Sequence, residues 1–320
     1  MSATDRFPVI ALEEHYCDPL LTAHFKGTSG NQPALRERLE DVGARRLASM
    51  DEAGIDIQVL SHAAPATQRL SGSTAIEVAR QTNDRLHAMV QLHPSRFAGF
   101  GVLPTAEPVA AADELERIVN RLGFKGAMVH GLTNGAFLDE KRFWPIFERA
   151  QALDVPLYLH PAIPHPAVIE AYYRDYVADF PSILTAGWGF TVETATQAIR
   201  MVLSGVFEAY PRLKIIIGHM GEGLPFSLWR IDQAMSRKGN QALDFRATFS
   251  EHFWITTSGN FSNPALLCSV MELGADRIMF SVDYPYVENT EGTRWLEQLP
   301  LCREDREKIM SGNARRLLRL

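Results

Sequence analysis

Eight times along this chain a short apolar run rich in β-branched and aromatic residues gives way to a longer stretch of helical character. The strand candidates are 9–15, 57–62, 97–103, 127–131, 156–160, 214–219, 253–258 and 278–283. The helical stretches between them are 34–53, 73–92, 108–122, 140–152, 191–210, 223–235 and 264–273. Eight strands separated by helices are what a closed parallel (β/α)8 barrel requires, and an α/β fold of the TIM-barrel type is the expectation. An open doubly wound sheet satisfies the same count, because counting alone does not prove closure. Two long irregular stretches, 20–33 and 161–188, each follow a strand end and predict loop insertions on the C-terminal face, where a barrel builds its active site. The second holds Tyr172, Tyr173, Tyr176, Phe180 and Trp188, expected to pack the insertion onto the barrel. Segment 303–320 predicts an amphipathic, structural helix.

A chain of 320 residues exceeds the common domain size, but α/β barrels fill such a length as one domain, so a single domain over 1–320 is expected. Hydrophobic residues make up 46%, ample for a large core, and the net charge of −6 argues against a general nucleic-acid binder, which needs a basic face. No apolar run approaches the roughly 20 residues that span a bilayer. The opening Met1-Ser2-Ala3-Thr4-Asp5-Arg6-Phe7-Pro8 lacks an apolar signal core, which predicts a cytoplasmic protein. Cys17, Cys268 and Cys302 are scattered and odd in number, the pattern of free thiols in a reducing compartment.

The chemistry sits where strands end. In a β-strand residues i and i+2 point the same way, so Glu13 and His15 project together from the end of the first strand. A carboxylate beside an imidazole at that place is half of a metal site. The fifth run ends Leu157-Tyr158-Leu159-His160, the sixth Ile217-Gly218-His219-Met220-Gly221-Glu222, and the eighth Phe280-Ser281-Val282-Asp283. A buried Asp or His is costly unless paired or metal-bound, so a convergent site explains these endings best.

The pattern Glu13-x-His15, His160, His219-Met-Gly-Glu222 and Asp283-Tyr-Pro285 resembles the amidohydrolase superfamily. Within it the sequence is most similar to the metal-dependent non-oxidative decarboxylases of aminocarboxymuconate semialdehyde, γ-resorcylate, dihydroxybenzoate and 5-carboxyvanillate. The likeness runs nearly end to end, through Met50-Asp51-Glu52-Ala53-Gly54-Ile55-Asp56, Gly123-Phe124-Lys125-Gly126 and Leu228-Trp229-Arg230-Ile231-Asp232. It implies a barrel with a mononuclear divalent metal, Zn²⁺ or Mn²⁺, and a small carboxylic acid as substrate. Binuclear relatives bridge two ions with a strand-four lysine; here Lys125 precedes its apolar run and would sit at the wrong end.

From this resemblance Glu13, His15, His160 and Asp283 are the expected metal ligands, with Asp283, His219 and Glu222 as the catalytic set. Arg46 and Arg230 are cationic candidates for a substrate carboxylate. His130 is a candidate lining residue, at a position where several relatives carry an amide. The implied reaction places a proton from Asp283 on the ring carbon that bears the carboxylate, whereupon CO₂ leaves. The alternative is hydrolysis of an ester, lactone or amide by the same metal, with Asp283 taking a proton from water. Homodimers or homotetramers, no nucleic-acid partner and no membrane association complete the expectation.

Overall fold

A computed structural model describes residues 6–25 and 32–320, so part of the predicted insertion 20–33 lies outside the described residues. Among them, eight strands run parallel: β1 Ile10–Tyr16, β2 Ile57–His62, β3 Phe97–Gly99, β4 Ala127–His130, β5 Leu157–His160, β6 Ile215–Ile217, β7 Phe253–Thr256 and β8 Ile278–Met279. Hydrogen bonds join β1 to β3 in order and β4 to β8 in order. Two seams complete the ring. Gly101 N donates to Gly126 O and Met128 N to Gly101 O, both at 3.0 Å, linking β3 to β4; His15 N donates to Tyr284 O at 2.6 Å, linking β1 to the chain after β8. The sheet is therefore a closed (β/α)8 barrel, not an open one.

Alternation along each strand sorts the core into two layers. Ile10, Leu12, Val59, Ala98, Phe100, Met128, Tyr158, Ile216 and Met279 form one buried cluster with Ala314, Leu317 and Leu318 of the C-terminal segment. Their neighbours Ala11, Leu60, Val129, Leu157, Leu159, Ile215, Ile217 and Ile255 pack against the helices instead. The first cluster is the barrel interior, and the helix Asn313–Leu318 plugs its lower end. Lys125 Nζ donates to Arg319 O at that end, far from the strand C-termini.

Strand β1 breaks the alternation once. Its register against β2 slips between Ala11 and Glu14, so one extra residue is accommodated there. Other departures have local causes. The predicted helix 34–53 is two, Pro33–Glu40 and Ala44–Ala53, because Asp41 turns the chain and its carboxylate accepts from Arg46 N at 2.8 Å. The helix Phe245–His252 was not anticipated; Asp244 caps it by accepting from Ala247 N at 2.9 Å. Of the five aromatic residues in the insertion after β5 only Tyr173 is buried; Tyr172, Tyr176, Phe180 and Trp188 are exposed, which corrects the expectation that the aromatic cluster packs inward. Among the described residues no helix is long and apolar enough to cross a membrane.

Candidate active site

At the C-terminal mouth of the barrel, one ligand atom from each of Glu13, His15, His160 and Asp283 lies within 4.8 Å of the others. Glu13 Oε1 is 3.1 Å from His160 Nε2 and 3.9 Å from His15 Nε2, and His15 Nε2 is 3.2 Å from Asp283 Oδ1. Yet Glu13 Oε1 and His15 Nε2 are buried without a properly directed hydrogen bond. Atoms at hydrogen-bond distance that do not point at one another point at a common centre. Ligand atoms about 2.1 Å from one ion stand about 3.0–3.4 Å apart, so the spacing and the orphaned atoms fit a single divalent metal.

The tautomers agree. His160 Nδ1 lies 2.7 Å from Pro161 O, an obligate acceptor, so it carries the proton and leaves the Nε2 lone pair facing the cluster; His15 Nδ1 lies 3.2 Å from Ser61 Oγ, which can accept its proton and free Nε2 in the same way. Glu13 is held from behind: the hydroxyls of Tyr158 and Ser258 donate to its Oε2, with Thr256 Oγ1 at 3.4 Å. Tyr158 lies two residues before His160, on the same face of β5, and Thr256 ends β7 with its Oγ1 2.8 Å from Ser258 Oγ just beyond the strand. Gly218 is required there, since a Cβ would come within 2.6 Å of Glu13 Oε2. Burial alone would raise Glu13, but the imidazoles of His219, His15 and His160 hold it well below the usual carboxylate range.

Beside the cluster the chain makes an uncommon turn. His219, Met220, Gly221, Glu222 and Gly223 all have positive φ, between 51° and 74°. Side-chain-bearing residues resist this left-handed region, and here the turn folds the Glu222 carboxylate back onto His219, Nδ1 to Oε1 at 2.6 Å. His219 Nε2 then faces Glu13 Oε1 at 3.6 Å and Asp283 Oδ2 at 4.0 Å. Burial opposes charge on His219, but the Glu222, Glu13 and Asp283 carboxylates push it up to about 10. Asp283 also adopts a positive φ, 75°.

The remaining candidates separate. His130 Nδ1 meets His160 Nδ1 at 2.9 Å, on the side of that imidazole away from Glu13. Burial and the neighbouring His160, His15 and His62 rings keep His130 well below the ordinary imidazole range. It also lines a cavity of about 440 Å³ with Gln68, Leu132, Asn134 and His165. Arg230 is exposed on the helix Leu224–Met235, and no contact joins it to the cluster among the described residues.

Arg46 is corrected. Its side chain is fully buried, with Nε on Asp41 O, Nη2 on His15 O, Nη1 on Gln58 Oε1, and the guanidinium over the Tyr284 ring at 4.8 Å. All three guanidinium nitrogens are bonded to the protein, to the backbone at Asp41 and His15 and to the Gln58 amide, so the side chain serves the scaffold and not a substrate. Arg46→Met is expected to cost about 3 kcal/mol in urea unfolding by leaving these acceptors unpaired, with little change in KM. A raised KM at unchanged stability would restore the substrate role.

His62, another strand-end histidine, is also structural: Nδ1 donates to Ala63 O at 2.7 Å and Nε2 accepts from Asp18 N at 2.9 Å. Burial pushes its pKa down to about 4. The unfolded chain, with an ordinary imidazole near 6.5, therefore binds the proton first, and stability falls as pH drops below about 6.5. From pH 7 to 5 this linkage removes about 2 kcal/mol, a loss that His62→Gln should lack when urea midpoints are compared at both pH values.

The amidohydrolase family model matches residues 11–320. The chain belongs to the amidohydrolase family. A γ-resorcylate decarboxylase from Polaromonas sp. is 42% identical over 328 residues, covering 97% of this chain and 98% of the relative. Among solved structures, a dihydroxybenzoic acid decarboxylase from Polaromonas sp. with bound manganese and the inhibitor 2-nitroresorcinol aligns with a TM-score of 0.90 at 42% identity, over 98% of each chain. A 5-carboxyvanillate decarboxylase from Novosphingobium aromaticivorans, complexed with manganese and 4-hydroxy-3-methoxy-5-nitrobenzoic acid, aligns at 0.90 and 30% identity, over 98% of this chain and 96% of the other. As an amidohydrolase this chain is an enzyme for one divalent metal, and Lys125 lies at the wrong end of β4 to bridge a second.

Proposed function

We propose that this amidohydrolase is a metal-dependent non-oxidative decarboxylase, a carboxy-lyase, of a hydroxyaromatic carboxylic acid. Glu13, His15, His160 and Asp283 hold one ion, Mn²⁺ as in the manganese-bound relatives, with Zn²⁺ the second candidate. One observation carries the reading. Asp283 stands between ligand His15 and the His219–Glu222 pair, so a proton donor and its relay face the same opening as the ligand set.

When bound, the ion supplies Lewis-acid charge that holds a substrate's carboxylate and a neighbouring oxygen. Asp283 transfers its proton to the ring carbon that bears the carboxylate. The bond from that carbon to the carboxylate then breaks, its electron pair restores the aromatic ring, and CO₂ departs. His219, oriented by Glu222, holds the phenolic oxygen or relays a proton to Asp283.

The working form in this reading is a homodimer or homotetramer of single-domain chains. Phe226, Trp229 and Met271 are 86%, 61% and 85% exposed on the packed helices Leu224–Met235 and Asn263–Leu273, and covering such side chains with a second copy gains about 1.5–3 kcal/mol each. Arg230, beside them, remains the cationic candidate for a substrate carboxylate, and His130 a candidate lining residue. The unpaired Cys17, Cys268 and Cys302 suit the reducing cytoplasm.

The test is metal-supplemented turnover of a hydroxybenzoate panel, following CO₂ and the phenolic product, with phenyl acetate and a simple lactone alongside. Chelator-sensitive CO₂ release supports the proposal. Ester or lactone cleavage without CO₂ would instead make the enzyme a hydrolase and overturn it.

A further inference from the structure

Glu14 lies between two metal-ligand candidates yet takes no place in the cluster. Its carboxylate is fully buried and turned to the segment after β8. Oε1 accepts from Val282 N at 2.9 Å and Ser281 Oγ at 3.1 Å; Oε2 accepts from Tyr284 N at 3.2 Å and Gln58 Nε2 at 3.4 Å. The two backbone donors flank Asp283. The N–H groups of residues i and i+2 converge on one carboxyl group only where the intervening backbone is bent, and Asp283 has a φ of 75°. Ser281 Oγ also accepts from Glu13 N at 2.6 Å, which ties the strand-one ligands to the same segment.

We propose that Glu14 is the positioning residue of Asp283: it clamps the peptides on either side, sets the left-handed backbone, and thereby aims the Asp283 carboxylate at His15 and the metal position. The inference rests on reading Asp283 as a metal ligand. A glutamine at position 14 keeps the volume, but its amide group is a donor and faces one of the two N–H groups without accepting from it. The Asp283 loop would then relax away from the ligand set.

The experiment is a double-mutant cycle on Mn²⁺ affinity, measured by equilibrium dialysis, with circular dichroism and Tm for each variant. Glu14→Gln should weaken Mn²⁺ binding about 10–100-fold, the range for residues that orient a ligand. In an Asp283→Asn background the same change should add less than about twofold, because its effect runs through Asp283. Should Glu14→Gln fail to fold, Glu14→Asp, a methylene shorter and still a carboxyl, must show the same non-additivity. Equal losses in both backgrounds, or unchanged affinity in Glu14→Gln, would overturn the positioning role while leaving the ligand reading intact. If Asp283→Asn alone left affinity unchanged, the ligand reading would fall, and this proposal with it.

Discussion

Asp283→Asn is expected to lower kcat by at least about 10²–10⁴-fold while the protein keeps its fold. The side chain is placed for two tasks at once. Oδ1 lies 3.2 Å from His15 Nε2, inside the ligand cluster, and Oδ2 lies 4.0 Å from His219 Nε2, on the relay side. A carboxamide has the same shape but neither the negative charge for the cluster nor a transferable proton for the ring carbon. The fold should survive for a backbone reason. Position 283 requires a φ of 75°, and asparagine is among the few side-chain-bearing residues that enter this region readily. Matched circular dichroism and Tm, with CO₂ release under saturating metal, check both halves of the expectation. Turnover near the unsubstituted level would remove Asp283 as the acid.

Glu13→Gln should abolish tight metal binding, and with it activity. Glu13 contributes the carboxylate that faces three imidazoles, His160 at 3.1 Å, His219 at 3.6 Å and His15 at 3.9 Å. Those imidazoles hold it ionised despite complete burial. Neutralising it removes the anion that balances both the cation and His219. A ligand present at 100 times its Kd stabilises the folded state by about 2.7 kcal/mol, so the unsubstituted protein should show a clear rise in Tm on adding Mn²⁺ and lose it with chelator. Glu13→Gln should show no rise at the same concentration, and differential scanning calorimetry with and without Mn²⁺ reads the difference. A full rise in the variant would take Glu13 out of the ligand set.

Much of this site could be read before any fold was known, because barrel strands announce their ends. An apolar β-rich run that stops at a His, Glu or Asp places that residue at the mouth, and Glu13, His15, His160, His219 and Asp283 all follow this rule. Residues that act through long-range contact gave weaker signals. Tyr158 was readable in hindsight as the residue two before His160 on one strand face. Thr256 ends β7 and Ser258 follows it, at a strand end that carries no ionisable residue to draw attention. Strand alternation turns Glu14, between Glu13 and His15, away from the mouth. It does face away from the cluster, but strand alternation does not tell what stands on the other side, here the backbone around Asp283. Arg46 looked like a substrate cation because local sequence does not reveal that its guanidinium is buried against His15 O.

By itself, then, the sequence determined the alternation of strands and helices, the residues at the strand ends and hence the metal-ligand types, since these depend on local periodicity and on the cost of burying charge. Tertiary structure decided which groups hold those ligands in place: the hydroxyls behind Glu13, the Glu14 clamp on the Asp283 loop, and the left-handed turn that folds Glu222 onto His219. The first two join residues more than 95 positions apart, brought together only when the barrel closes. The third sets an unfavourable backbone against packing around it, where a Cβ at Gly221 would lie 2.9 Å from Pro225 and 3.0 Å from Ile255 of the neighbouring strand β7.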